Sequence, residues 1–166
     1  MRLNHAMREL LRRFGIDPEQ PPQLAVELRQ LVEPGILEQD GCWLLASQIG
    51  VETAGQRQQF PDRTGYEAFV NHIHIEDVLD ARLYPSESML GQALALGHAM
   101  RALVAPRGAF KIVVATSIDA PRDCNVRLYK ARPGEVWIRD DLEGYADDGI
   151  LVLETSGLSP ASTHVH

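Results

Sequence analysis

The chain has 166 residues, a formal net charge of −7 and 45% apolar residues. That mix excludes a disordered chain, a collagen-like chain and a disulfide scaffold. At this length, folding buries about 70% of the surface the unfolded chain exposes, so no metal or disulfide staple is needed. The acidic balance disfavours a protein that grips nucleic acid or an anionic membrane through bulk charge.

Cys42 and Cys124 are far apart and in no CxxC pattern; a single disulfide is one reading, and free buried thiols of a reducing compartment are the expectation. Met1 to Gly15 lacks the apolar segment and cleavage site of a signal peptide. No run approaches the ~18 apolar residues of a membrane span. The expectation is a cytoplasmic protein with no membrane partner.

Leu3, Met7, Leu10, Leu11 and Phe14 recur at helical spacing, with Asn4 as the cap and Gly15 as the stop. A second helix is predicted from Pro22, with Leu24, Leu28, Leu31 and Val32 as its stripe and Pro34-Gly35 as its end. Ile36 to Ser47 predicts a hairpin turning at Asp40-Gly41, because Asp-Gly tolerates the positive φ such turns need. Helix, helix, hairpin is also the outline of a winged-helix DNA reader. Residues 1 to 33, however, carry five arginines against five carboxylates, and a neutral module lacks the phosphate attraction that drives such binding.

Gln48 to Arg63 shows no period and reads as a long loop. Tyr66 to Val78 predicts a strand with Phe69, Ile73 and Ile75 on one face and His72, His74 and Glu76 on the other. Ser86 to Ala105 is the strongest helix, with Ser86 as cap and Gly91 and Gly97 allowing close packing on a sheet. Phe110 to Ile118 is nearly all apolar, which suits a central strand buried on both faces. Cys124 to Ala131 alternates, with Val126 and Leu128 inward and Arg127 and Tyr129 outward. Arg132-Pro133-Gly134 predicts a tight turn, and Val136 to Ile138 a return strand. Ile150 to Leu153 predicts a last short strand.

Strands joined by short turns from Phe110 onward predict an antiparallel meander and hence an α+β fold. The expected architecture is a sheet of four to five strands with the Ser86 helix across one face. The N-terminal helices and hairpin pack at one end. Residues 1–155 are expected to form one domain, with an N-terminal part at 1–47 and a sheet part at 66–155, followed by a flexible tail at 156–166.

Two groups of residues are candidates for function. His72 and His74 share a strand face, so two imidazoles can reach one divalent ion. Glu76 on the same strand would lie ~13 Å from His72, so another element would have to complete the site. The downstream spacing of a cupin-like His-x-His sheet is missing. The second group lies between Glu135 and Glu154, where seven carboxylates stand against Arg139 alone. Trp137 and Tyr145 stand among Asp140, Asp141, Glu143, Asp147 and Asp148, and an aromatic anchor inside a charged rim is the anatomy of a protein interface. No GxSxG, P-loop, GxGxxG or HExxH occurs, so no common enzyme motif is legible and no cofactor is implied.

The resulting expectation is a non-catalytic protein-binding domain. Its concrete form is a bacterial immunity- or antitoxin-type inhibitor that meets a basic toxin through the Trp137 to Asp148 face. The alternative is a metal-dependent or small-molecule enzyme centred on His72, His74 and Glu76. A third is a DNA-binding regulator using the N-terminal helices and hairpin.

Overall fold

The computed structural model describes residues 1–50 and 56–156. In chain order the elements are β1 (Arg2–Leu3), α1 (His5–Phe14), α2 (Val26–Val32), β2 (Ile36–Gln39), β3 (Cys42–Leu45), α3 (Arg63–Val70), β4 (His72–His74), α4 (Ser86–Val104), β5 (Phe110–Ser117), β6 (Cys124–Lys130) and β7 (Asp148–Thr155). The fold is α+β: five strands form one antiparallel sheet in the order β1-β7-β5-β6-β4, and β2 and β3 form a separate hairpin.

Local chemistry explains most boundaries. Asn4 caps α1, its Oδ1 accepting the Met7 N–H at 3.0 Å. At the other end the Ile16 and Gly15 N–H groups reach back to the carbonyls of Leu11 and Arg12. In the hairpin turn, Asp40 and Gly41 both have positive φ, 53° and 74°. α2 begins at Val26 rather than at Pro22; residues 21–25 carry no regular secondary structure, and Ala25 stands at the cap position with ψ 146°. Pro85, not Ser86, occupies the cap position of α4, with no side-chain hydrogen bond there.

α4 lies across one sheet face, against Ile112, Val114, Leu128 and Leu153. Its approach is close at Gly97, where a Cβ would stand 3.0 Å from Val114 Cγ2. The expected intimacy therefore holds at Gly97, whereas Gly91 faces Pro22. α1 packs on β7 and α2 on α4, so the two N-terminal helices do not form a helix pair of their own.

Three expectations need correction. Tyr66 to Val78 is not one strand. Asp62 caps a helix by accepting the Gly65 N–H at 2.7 Å, α3 runs to Val70, and the strand is only His72–His74 before a 3-10 turn at Ile75–Asp77. Asn71, which interrupts the alternation, is the helix end: its N–H bonds back to Glu67. Second, Val136 to Ile138 adds no strand. β6 is already flanked by β5 and β4, so the returning chain has no free edge and crosses the sheet face instead. The Arg132–Glu135 turn is present, with Gly134 at φ 79°. β1, unforeseen, takes the remaining edge beside β7. Third, a 3-10 turn at Ala46–Gln48 leads into the stretch from Gln48 to Arg63, which holds another at Gln56–Gln59; residues 51–55 lie outside the described residues. So does most of the expected tail, 157–166, while β7 extends through Thr155.

Candidate functional site

The face of the sheet opposite α4 carries Lys111, Val113, Ala115 and Ser117 from β5, Asn125, Arg127 and Tyr129 from β6, and Asp148, Ile150 and Val152 from β7. His72 and His74 of β4 pair with Arg127 and Asn125, so the two imidazoles belong to this same face. The segment returning from β6 covers one part of it. Ile138 and Leu142 pack there on Val113, Tyr129, Ile150 and Val152, which is why Tyr129 is buried rather than outward in water. The uncovered remainder is a groove of about 440 Å³. Val113, Ala115 and Ile150 line its floor, Trp137, Ile138 and Tyr145 stand at its wall, and Asp123, Asn125, Arg127 and Asp148 are its polar lining.

The groove unites part of the predicted acidic face and separates the rest. Trp137 is 40% exposed, with the Arg127 guanidinium 5.2 Å from its ring centroid. Tyr145 is half-buried; its hydroxyl accepts the Arg139 N–H at 3.2 Å, and Arg139 lies over its ring. Asp148 opens β7, and no ion pair engages its carboxylate among the described residues. Asp147, next to it, is exposed, and its carbonyl accepts the Ile118 N–H.

The other acids are matched within the chain. Asp140 lies 3.9 Å from both Arg2 and Lys111, and Glu154 lies 3.1 Å from Arg2. Glu143 accepts the His5 N–H at the start of α1 and lies 3.6 Å from Arg8, where a helix amino end favours a carboxylate. Asp141 caps the short 3-10 turn Leu142–Gly144. Glu135 accepts the Thr64 N–H and approaches Arg132. Asp123, Asn125 and Arg127 enter the site although the sequence reading did not select them. The alternation of β6 placed Arg127 outward, but only the strand register shows what shares its face.

Glu76 does not continue the strand of His72 and His74. It turns back in the 3-10 segment, and its Oε1 sits 3.2 Å from His74 Nδ1. The two imidazoles are packed against each other, with centroids 4.1 Å apart. Burial, with the Arg127 and His74 charges adding to it, holds the His72 pKa down to about 4, against a weaker opposing pull from Asn125. Among the described residues no three His, Cys, Asp or Glu side chains are arranged to hold a metal ion. His98 contacts the Pro18 carbonyl at 2.8 Å, and His5 stands at the start of α1.

Both cysteines are free and buried. Burial raises the Cys42 thiol and pushes Cys124 up to about 12, which leaves neither as a thiolate nucleophile near neutral pH. A larger cleft of about 610 Å³ runs beside α1, but much of its charged lining is internally matched, Arg12 by Glu9 and Glu143 by Arg8. None of the helices among the described residues is long and apolar enough to cross a membrane.

These features define an α+β protein with a helix on one face of its sheet and an aromatic, partly acidic groove on the other. The chain belongs to the Uncharacterized protein PM0498 family, whose model matches residues 2–163. No curated protein and no solved structure matches it.

Proposed function

We propose that the chain is a non-catalytic protein-binding domain that receives a cationic segment of its partner in the groove beside Trp137 and Tyr145. One observation carries this reading: Asp123 and Asp148 line an aromatic-walled groove with no ion pair among the described residues, while Asp140, Glu143 and Glu154 are matched by the chain's own arginines and Lys111. A guanidinium or ammonium entering there meets the Asp123 and Asp148 carboxylates beside two aromatic rings, over which the chain's own Arg127 and Arg139 already lie. The finer form of the proposal is a bacterial immunity- or antitoxin-type inhibitor of a basic toxin, acting in the cytoplasm. Charge complementarity supports the partner class, and two free thiols support a reducing compartment.

An octa-arginine peptide is a suitable probe. Titrated at low salt, it is expected to shift backbone resonances of β6 and β7 and to change Trp137 fluorescence. Affinity should fall about tenfold, or ~1.4 kcal/mol, in the Asp123→Asn/Asp148→Asn double variant and stay within about twofold in Asp140→Asn. Equal loss in both, or no shift in β6 and β7, removes the proposal. The finer form is tested by co-expression with the product of the adjacent reading frame, where growth protection that survives Asp123→Asn/Asp148→Asn counts against it.

A further inference from the structure

A second site lies on the α4 side of the sheet, at the corner where α4 ends, β5 begins and β6 ends. Trp43 of β3 is its centre. The Arg107 guanidinium stands 5.6 Å from the centroid of the indole and the Lys130 ammonium 5.2 Å from it. Lys130 also lies 6.0 Å from the centroid of Phe110, whose ring meets Trp43 edge-on at 5.8 Å. The indole N–H is buried and has no hydrogen-bond partner among the described residues. Two cations and one neutral donor thus gather at one ring.

Among the described residues no acceptor answers them. Neither Arg107 nor Lys130 enters an ion pair among the described residues. Glu38 is the residue opposite Trp43 in the hairpin register and makes no ion pair with either cation. The nearest buried carboxylate, Glu67, is spent. It accepts the backbone N–H groups of Trp43 and of Lys130, each at 2.7 Å, and is held by Arg132. That same carboxylate therefore fixes the two backbones that carry Trp43 and Lys130, so the corner is preorganised. Arg107 ends the 3-10 turn Ala105–Arg107 that follows α4, and the carboxyl end of a helix favours a cation. That preference does not account for a second cation on the same indole, which no carboxylate among the described residues pairs.

We propose that this corner binds a phosphate group, free or carried by a small molecule. A doubly charged oxyanion has the oxygen atoms to accept from a guanidinium and an ammonium together, beside the indole that both cations share. The chain as a whole carries −7, so saturable attraction of an anion must come from a local site and not from bulk charge.

Inorganic phosphate, pyrophosphate and adenosine monophosphate are titrated separately into the full chain at constant, low ionic strength. The readouts are calorimetry and the indole N–H resonance of Trp43, with Trp137 as the internal reference. The expected result is saturable binding that moves the Trp43 indole signal and not that of Trp137. Affinity should fall at least tenfold in both Arg107→Gln and Lys130→Gln, with melting temperatures checked to confirm folding. Binding of inorganic phosphate identifies the free ion as sufficient; binding of adenosine monophosphate alone identifies a carried phosphate, and either supports the site. No saturable binding of any of the three probes overturns it. So does unchanged affinity in both folded variants. The outcome is independent of the groove on the opposite face.

Discussion

Glu67 is fully buried, yet each of its oxygens accepts a backbone N–H and a contact from Arg132. Through those bonds one carboxylate ties the hairpin, α3 and the end of β6 together. Removing one partner of such a pair strands the other charge, so Glu67→Ala is expected to destabilise the fold by about 3–5 kcal/mol in urea unfolding, with Glu67→Gln costing less. His72 gives a pH-dependent prediction. Its folded pKa, about 4, lies below the unfolded value of 6.5, so the unfolded chain takes up the proton first as pH falls. The neutral imidazole's contribution is complete above pH 6.5 and is lost progressively towards pH 4. The His72→Gln variant should show a flatter fall of the urea midpoint across that window, and the His72 ring resonances should titrate near pH 4. Neither behaviour was legible in the sequence. The His-x-His pattern names two imidazoles, but the burial that depresses one of them, and the Arg127 charge that adds to it, arise only in the folded sheet.

At the scale of elements, Asn4 does more than cap a helix. Its amide nitrogen donates to the Asp148 carbonyl at 2.7 Å and to the Tyr145 carbonyl at 3.2 Å, and its oxygen accepts the Ile150 N–H as well as that of Met7. It holds the loop that carries Tyr145 against the start of α1. Asn4→Ala removes the cap and strands a buried N–H, so a loss of about 2–4 kcal/mol is expected, together with faster hydrogen exchange over residues 142–150. Gly97→Leu is expected to lift α4 from Val114 and to cost about 1–3 kcal/mol, measurable as a lowered melting temperature. The caps, the Asp40-Gly41 turn, α4 and β5 are readable from local chemistry, because each is specified by residues adjacent in sequence. The Tyr66 to Val78 segment misleads for a physical reason. Its apolar residues satisfy a two-residue period only if Asn71 is ignored, whereas Asp62 upstream supplies a helix start.

The whole molecule sorts its charge in a way that sequence counts conceal. The excess of carboxylates from Glu135 to Glu154 looks uniform in one dimension. In three dimensions Arg2, Arg8 and Lys111, from distant parts of the chain, are spent on Asp140, Glu143 and Glu154, and the remaining negative charge of the stretch includes Asp147 and Asp148. The aromatic residues Trp137 and Tyr145 are legible as anchors, but the floor of their groove is not, because it is made by β5, β6 and β7 in register. That register has a temporal consequence as well. β7, the final strand of the sheet, is bonded on one side to β5 and on the other to β1. On the ribosome, β5 therefore emerges with a bare hydrophobic edge that stays open for on the order of seconds at ordinary translation rates. Nascent chains halted before Asp148 should recruit chaperones or aggregate, whereas chains released through Ser156 should not, which pelleting assays of the two translation products would reveal.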